Sequence, residues 1–289
     1  MIKIEVKNIT KIYGDKKILD NISFNIEEGK IYGLLGRNGV GKTTLLNIIS
    51  NRIFQKSGEI YIDGENANGN EKVLSKLYLM GEKDYLPQGM KVTEGLKWTK
   101  TFYEKFDMEY ALELSKAFDL NTKSRLKELS TGYKSIFKII ITLASGADIL
   151  IFDEPVLGLD ANHRELFYSE LLKLYSKEEK TIILSTHLIE EITDILEKVI
   201  IIKDGKVIEE SDVEELLLAS YSISGKSEHV EKFIVDKKPI AIENLSGFKR
   251  ATILEGKTKE DEIKIKEFGL EVSKVDLQKI FIYLTNKEV

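Results

Sequence analysis

The sequence predicts an α/β protein whose mixed sheet is flanked by helices. Three short, continuously apolar segments carry this prediction: "KIYGLL" from residue 30, "DILIFDE" from residue 148 and "KTIILST" from residue 180. A segment with helical periodicity follows each of them. Buried strands that alternate with helices are typical of a largely parallel sheet covered on both faces.

The remaining strands are indicated by alternation and by turn residues. Residues 2–12 and 18–26 alternate apolar and polar side chains, as half-buried strands do, and "YGDKK" forms the turn between them. "SGEIYIDGE" is a further strand between glycines, and "VIIIKDGKVIEE" is a strand pair around a tight turn. These segments complete the expected sheet core.

Changes of pattern along the chain divide it into two domains. Between about residues 84 and 146 the strand pattern disappears, which predicts a helical subdomain inserted into the core. After residue 210 a helix leads into a short mixed tail. We therefore expect a large α/β core domain over 1–210, which contains the helical subdomain, and a small accessory α+β domain over 211–289.

Composition excludes several classes of function. The 289 residues carry a net charge of -5, so there is no general positive field for nucleic acid, and none is expected as a partner. The absence of cysteine excludes disulfides, thiolate metal sites and cysteine nucleophiles. No segment has the length and apolarity needed to span a bilayer. An intracellular protein is the expectation.

The stretch "GLLGRNGVGKTTLLNII" contains a phosphate-binding loop. Gly36, Gly41, Lys42 and Thr43 fill the pattern G-x-x-x-x-G-K-[ST] between an apolar strand and a helix, which is its required context. Backbone amides and the helix N-terminus would cradle phosphates, the lysine would supply a mobile cation, and Thr43 would ligate Mg²⁺. The alternative is a glycine-rich turn with a chance lysine. The other candidate phosphate contacts of the loop are Arg37, Asn38, Gly39, Val40 and Thr44.

A second motif, "DILIFDEP", places two acids at the carboxyl end of a buried strand, where open α/β sheets bind ligands. Asp153 would hold Mg²⁺ or one of its waters, and Glu154 would orient or deprotonate the attacking water. The alternative is a pair of acids that caps a strand before a proline. The presence of the phosphate loop in the same sequence favours the catalytic interpretation over this alternative.

With three further motifs, residues 2–210 resemble an ABC transporter ATP-binding subunit with a P-loop NTPase fold. "LSTGYKS" resembles the family's signature sequence, "LGLD" its D-loop and "STHLIEE" its switch-histidine segment. The resemblance implies ATP and Mg²⁺ as cofactors and a head-to-tail dimer with two ATP molecules between the subunits. It assigns to nucleotide contacts the residues Tyr13, Ser130, Gly132, Asp160 and His187.

The positions of these residues along the chain are compatible with the roles that the resemblance implies. Ser130 precedes a helix that it could cap while offering its hydroxyl to a γ-phosphate from a partner subunit. His187 follows a buried strand, where an imidazole can reach the γ-phosphate, although a surface or capping role is the common alternative. Tyr13 could stack on adenine or simply pack at a strand end. His163 and His229 have no such context and are expected at the surface.

The sequence departs from the family pattern in two places. Thr131 and Tyr133 replace a glycine and a glutamine of the usual signature, and Thr131 is expected to cost backbone freedom near phosphate. The family also has a metal-contacting glutamine after a strand. Counting back from "VTEGL" places that position at Glu82, which can still bind a cation, whereas Gln88 is interpreted as loop.

The resemblance also implies partners and a location. We expect a separate multi-span permease, a second ATP-binding subunit in a homodimer or heterodimer, and a position at the cytoplasmic face of the membrane. The altered signature is similar to those of ABC-2-type exporters, among them pumps for antimicrobial peptides and staphylococcal phenol-soluble modulins. A cytosolic ABC protein and a nucleotide-dependent regulator are the alternatives. At helical spacing, four aromatic residues are more typical of core than of an interface: Trp98, Phe102, Tyr103 and Phe106. The resemblance implies that this helical subdomain docks a short helix of the permease, and the alternative is that one or two of these aromatics line that groove.

Overall fold

The structure of the chain, a computed structural model, describes residues 1–83 and 86–286, apart from the side chains of Ile2 and Leu245. The described residues form two compact units. Of the described residues, those within 1–187 and 202–207 form the first unit, and residues 188–201 together with those from 208 to 286 form the second. The predicted start of the helical subdomain, residue 84, lies outside the described residues.

The first unit is built from the elements that precede residue 187, together with parts of two later strands. In chain order these are β1 (Ile2–Tyr13), β2 (Lys16–Glu27), β3 (Ile31–Gly36), α1 (Lys42–Ile49), β4 (Ser57–Ile62), β5 (Glu65–Asn66), α2 (Glu71–Leu74), β6 (Leu77–Met80), α3 (Val92–Phe102) and α4 (Met108–Ala117). The chain continues through a 3₁₀ turn (Leu126–Glu128), α5 (Thr131–Leu143), β7 (Ile149–Asp153), α6 (Ala161–Glu178) and β8 (Thr181–Ser185).

The elements after β8 belong to the second unit, except for parts of β9 and β10. They are α7 (Ile189–Ile192), a 3₁₀ turn (Thr193–Ile195), β9 (Lys198–Lys203), β10 (Lys206–Asp212), α8 (Val213–Ala219), β11 (Tyr221–Lys226) and α9 (Ser227–Ile234). The chain then forms β12 (Ala241–Leu245), β13 (Phe248–Ile253), α10 (Lys259–Glu267), β14 (Glu271–Lys274) and α11 (Leu277–Thr285). Strands β9 and β10 contribute to the first unit through residues 202–207.

Two sheets form the first unit, and together they confirm the predicted α/β fold with a mixed sheet. An antiparallel sheet has the order β2-β1-β4-β5, and a second sheet has the order β10-β9-β3-β8-β7-β6. In the second sheet β3 pairs with β8, β8 with β7 and β7 with β6, all in parallel. Every residue of β3, β7 and β8 is buried, which agrees with their continuously apolar sequences.

Parallel pairing brings the carboxyl ends of three strands to one edge. The register places Asp153 opposite Ser185, while β3 ends at Gly36, immediately before the glycine loop. Helix α6 packs against this sheet through Phe167, whose ring meets that of Phe152 edge-on at a centroid distance of 5.3 Å. Both rings are fully buried, and each contributes roughly 1.5–3 kcal/mol to the stability of the folded state. This packing holds β7, the strand that carries Asp153, against α6.

Of the four aromatic residues expected in the core of the helical segment, two are packed in the protein and two are exposed. Phe106 is buried, and the hydroxyl of Tyr103 donates to the Leu77 carbonyl at 3.4 Å. The expectation is wrong for Trp98 and Phe102, which are 49% and 65% exposed. They lie one turn apart on α3, beside the face that carries its buried residues, and their rings contact each other at 5.6 Å.

The second unit is built around a four-stranded antiparallel sheet of order β12-β13-β11-β14. Along the chain β11, α9, β12, β13, α10 and β14 alternate as β-α-β-β-α-β, an α+β arrangement like that expected for the tail. One face of the sheet packs on α9 and α10 through a core of Tyr221, Ile223, Val230, Phe233, Ala251, Ile253, Ile265 and Leu270.

The C-terminal helix belongs to the opposite side of this unit. The Tyr283 hydroxyl on α11 donates to the Glu243 carboxylate of β12 at 2.7 Å, and α11 also packs against α7. His229, expected at the surface, is half-buried because its Nδ1 hydrogen-bonds the Phe268 carbonyl at 2.8 Å. The polar partner explains why this ring leaves solvent.

Candidate active site

The glycine loop has the backbone that its sequence requires. Gly41 precedes α1 with φ +111°, where a side chain is strained, and an added Cβ would lie 2.7 Å from Leu19 Cδ2. At Gly36 an added Cβ would lie 2.6 Å from Val40 Cγ1 and 2.9 Å from the Ile202 carbonyl. Glycine is therefore sterically required at both ends of the loop.

Lys42, the first residue of α1, extends back into the loop. Its side chain is largely buried, and Nζ donates to the Gly36 carbonyl at 2.6 Å. Burial lowers the pKa of Lys42, while the charges of Glu154 and Asp153 oppose that effect. A buried cation beside a helix N-terminus makes the loop a binding site for a polyanion.

Asp153, at the end of β7, has the properties of a metal ligand. It is 8% exposed, and within residues 1–83 and 86–286 its Oδ1 has no hydrogen-bond partner. The buried hydroxyl of Ser185 is unpaired in the same sense. Burial raises the pKa of Asp153, and the neighbouring Thr43 hydroxyl opposes the rise. Oxygen donors that need a cation fit Mg²⁺, so Thr43 and Asp153 are the residues that would hold it.

The next residue, Glu154, adopts a left-handed backbone with φ +50°, which is uncommon for a residue with a side chain. Its N–H donates to the Ser185 carbonyl at 2.8 Å, which holds this turn against β8. Its Oε2 lies 2.8 Å from Nδ1 of His187. An ionised carboxylate only accepts hydrogen bonds, so Nδ1 carries the hydrogen and the imidazole orients the glutamate.

Of these residues, Lys42, Thr43 and Glu154 share one cleft with the phosphate loop, whereas Asp153 and His187 are not in the lining of this cleft. Its lining consists of Tyr13, Ile18, Asn38, Gly39, Gly41, Lys42, Thr43, Thr44 and Glu154. The Tyr13 ring is half exposed, with Lys11 Nζ 4.8 Å from its centroid, so it is not packed as core. Ile18 also lines the cleft, although it was not among the residues predicted from sequence. Its position just after the turn that follows Tyr13 is the pattern that would predict it.

The signature segment begins α5 and lies outside that lining. Ser130 is the N-cap, and its hydroxyl accepts a hydrogen bond from the Tyr133 N–H at 3.3 Å. A Cβ on Gly132 would lie 2.7 Å from the Gly158 carbonyl. Thr131 is the first helical residue and has no left-handed backbone, so the expected cost of losing glycine does not arise in this conformation.

Asp160 and His163 begin α6. The Asp160 carboxylate caps the helix by accepting from the His163 N–H at 2.9 Å, and its other oxygen lies 2.8 Å from His163 Nδ1. The expectation that His163 is a surface residue is wrong, because the ring is half-buried against aromatic neighbours. This side chain is the second feature that the sequence analysis missed.

Glu82 follows β6 and is exposed, and its backbone carbonyl accepts from Lys138 Nζ at 2.6 Å. It is not among the residues that line the cleft, so its role as a metal ligand stays a prediction. Gln88 lies in a turn, as expected for loop.

A phosphate loop, a buried aspartate with one unpaired oxygen and a carboxylate–imidazole pair define the class of P-loop nucleoside triphosphatases. Residues 19–157 match the family described as "ABC transporter". The chain is 37% identical over 222 residues to the ABC transporter ATP-binding protein MJ1023 of Methanocaldococcus jannaschii, which covers 74% of this chain and 79% of that protein. The chain therefore belongs to the family of ABC transporter ATP-binding proteins.

Other similarities describe the family more fully. The lantibiotic transport ATP-binding protein SrtF of Streptococcus pyogenes is 30% identical, over 72% of this chain and 90% of that protein. The petrobactin import ATP-binding protein YclP of Bacillus subtilis is 29% identical, over 75% and 90%. A dimeric ABC cassette structure, MJ0796, superposes with a TM-score of 0.65 at 28% identity, over 73% and 98%.

Membership of this family establishes the general activity. The chain is an ATP-hydrolysing cassette that uses ATP and Mg²⁺, and cassettes of this family form dimers and pair with a membrane permease. Within the described part of the chain, every helix is too short or too polar to span a bilayer.

Proposed function

We propose that this chain powers an ABC-2-type exporter of amphipathic or antimicrobial peptides from the cytoplasmic face of the membrane. The similarity to SrtF, which spans 90% of that lantibiotic transport protein, is the observation that carries the proposal. The altered signature "LSTGYKS" supports it. Peptide cargo of this kind is cationic and apolar on opposite faces, and it would contact the permease rather than the ATPase.

The site supports a specific division of labour in ATP hydrolysis. Lys42 and the loop amides would bind the phosphates, and Thr43 and Asp153 would hold Mg²⁺, which would supply charge neutralisation. Glu154 orients the attacking water and accepts its proton as the bond between the β- and γ-phosphates breaks. His187 holds Glu154 in place through the 2.8 Å hydrogen bond, and the family resemblance supports a contact between its imidazole and the γ-phosphate.

A second copy, or a related ATP-binding subunit, completes the site in this proposal. Ser130, Gly132 and Asp160 do not line the cleft around Lys42 in the described structure. Their location supports a role toward the ATP of a partner subunit, where the capped N-terminus of α5 would face the γ-phosphate. Binding and loss of ATP would then close and open the pair of subunits.

The exposed pair Trp98 and Phe102 on α3 is proposed as part of the contact with the permease. Two large apolar rings that share one solvent-facing helix face are unusual on a free surface and are enriched at protein interfaces.

The test is reconstitution with the membrane protein encoded beside this chain. The co-purified complex is placed in proteoliposomes, and phosphate release is measured with an amphipathic cationic peptide or with a sugar and a siderophore as comparisons. We expect the peptide alone to stimulate ATP hydrolysis and to move in the direction of export, and Glu154→Gln to abolish both. Stimulation by the sugar or siderophore contradicts the proposed cargo. ATPase activity without any associating membrane protein supports the cytosolic alternative.

A further inference from the structure

The imidazole of His163 joins three elements of the helical segment and the core. On one side its Nδ1 and backbone N–H bind the two oxygens of Asp160 at 2.8 and 2.9 Å. On the other side its ring stacks on Phe118, at the end of α4, with centroids 6.1 Å apart and planes 17° apart. The ring of Tyr133, on α5, meets it edge-on at 6.0 Å.

The two hydrogen bonds fix the direction of the Asp160 carboxylate. One donor is part of the helix backbone and cannot move independently, and the other is a ring whose rotation is restricted by the neighbouring aromatics. The pKa of Asp160 is held below its ordinary value, chiefly by the His163 backbone N–H and then by the ring. An exposed carboxylate on a free loop would instead sample several rotamers.

Helix α5 and the loop before α6, residues 157–160, also contact each other directly. The Ser135 hydroxyl of α5 donates to the Leu157 carbonyl at 3.2 Å. Gly132 approaches the Gly158 carbonyl so closely that no Cβ fits between them. Leu157 and Gly158 therefore contact the first turns of α5 directly, and His163 links Asp160 to the same helix through the ring of Tyr133.

We propose that His163 is a positioning residue for ATP turnover. It holds the Asp160 carboxylate in a fixed direction relative to the signature turn, so that Asp160 and Ser130 are presented to a partner subunit's nucleotide as one rigid unit. The inference rests on the proposed role of Asp160 and the signature at that nucleotide. It adds a residue that contacts neither ATP nor metal and acts through another side chain.

Two substitutions separate the hydrogen bond from the ring packing. His163→Phe keeps a ring against Phe118 and Tyr133 but has no donor for Asp160. His163→Asn places an amide where Nδ1 stood but removes the ring. ATPase rates of the purified full chain give kcat and KM, and thermal unfolding gives stability.

We expect His163→Phe to lower kcat about tenfold with KM for ATP within twofold and an unchanged unfolding temperature, because a hydrogen bond to a charged group is lost. His163→Asn should unfold several degrees lower yet keep kcat within about threefold of the wild type. Activity losses that follow only the loss of stability, with His163→Phe at the wild-type rate, would show a purely structural role and overturn the inference.

Asp160→Asn distinguishes failure of this inference from failure of the proposed function. If Asp160→Asn lowers kcat but His163→Phe does not, only the positioning role of His163 is wrong. If Asp160→Asn itself turns over at the wild-type rate, the role assigned to Asp160 at the partner's nucleotide is wrong, and the inference fails with it. Lowered kcat in both variants supports both.

Discussion

His187 Nδ1 lies 2.8 Å from Glu154 Oε2, and this hydrogen bond joins the chain segments that leave two adjacent parallel strands. Glu154 directly follows β7, and His187 lies two residues after β8. The backbone supports the same pairing, since the Glu154 N–H donates to the Ser185 carbonyl at 2.8 Å. A glutamate in an uncommon left-handed conformation is thus held by both its backbone and its side chain, as expected for an aligned catalytic group.

Glu154→Gln is expected to lower the rate of ATP hydrolysis by about 10²–10⁴-fold, because the amide cannot accept the proton of the attacking water. The affinity for ATP should stay within about twofold of the wild type, since the phosphate loop is untouched. Phosphate release and equilibrium binding of a fluorescent ATP analogue measure the two quantities. Glu165→Gln, an exposed glutamate of α6, is the matched control and should hydrolyse ATP normally. Near-normal turnover by Glu154→Gln would remove Glu154 as the base.

Substitutions of His187 should separate its bond to Glu154 from its reach toward phosphate. His187→Ala removes both and is expected to lower kcat roughly 10–100-fold, the range for losing a hydrogen bond to a charged group. His187→Asn keeps a donor near the Nδ1 position, so its kcat should lie between those of His187→Ala and the wild type. Steady-state ATPase assays compare the three proteins. Equal rates for the two variants would show that orienting Glu154 is not part of the role of His187.

The parts of the site that follow from chain-local rules could be predicted from sequence. Gly36 and Asp153 each end or follow a continuously apolar strand, and the parallel pairing that such strands favour brings those ends to one edge. The steric requirement for glycine at Gly41 also follows from the motif, because the helix begins at the next residue.

The features that depend on packing between distant segments could not be predicted in this way. His163 contacts Phe118 and Tyr133, which lie 45 and 30 residues earlier, and no local pattern reports that proximity. The exposure of Trp98 and Phe102 was equally hidden, since their spacing of four residues defines a helix face without saying which face is covered.

Gly132→Ala should disrupt the signature turn, whereas Thr131→Ala should not. A Cβ at residue 132 would lie 2.7 Å from the Gly158 carbonyl, so the loop before Asp160 must move. We expect kcat to fall at least about tenfold for Gly132→Ala and to change less than about twofold for the exposed, helical Thr131→Ala. ATPase rates normalised to folded protein, checked by circular dichroism, make the comparison. A wild-type rate for Gly132→Ala would show that its close approach to Gly158 has no part in turnover.

Asp153→Asn is expected to stabilise the protein in the absence of nucleotide while it abolishes the response to Mg²⁺. Burial raises the pKa of Asp153, so the folded state binds the proton more tightly than the unfolded state. The charged form therefore costs stability at neutral pH, and this cost disappears as pH falls through the raised pKa toward the ordinary value. Removing the charge should raise the unfolding temperature by roughly 2–4 °C near pH 8, which corresponds to about 1 kcal/mol.

The advantage of Asp153→Asn should shrink as the pH is lowered, because the raised pKa lets the wild-type carboxyl protonate in the folded state before an ordinary aspartate would. Differential scanning calorimetry across pH measures this, and Asp148→Asn serves as the control, since that carboxyl is 38% exposed and lies just before the same strand. With ATP present, adding Mg²⁺ should raise the unfolding temperature of the wild type and of Asp148→Asn, but not of Asp153→Asn. A pH-independent difference would mean that the stabilisation does not come from the buried charge, and an intact Mg²⁺ response would remove Asp153 from the metal site.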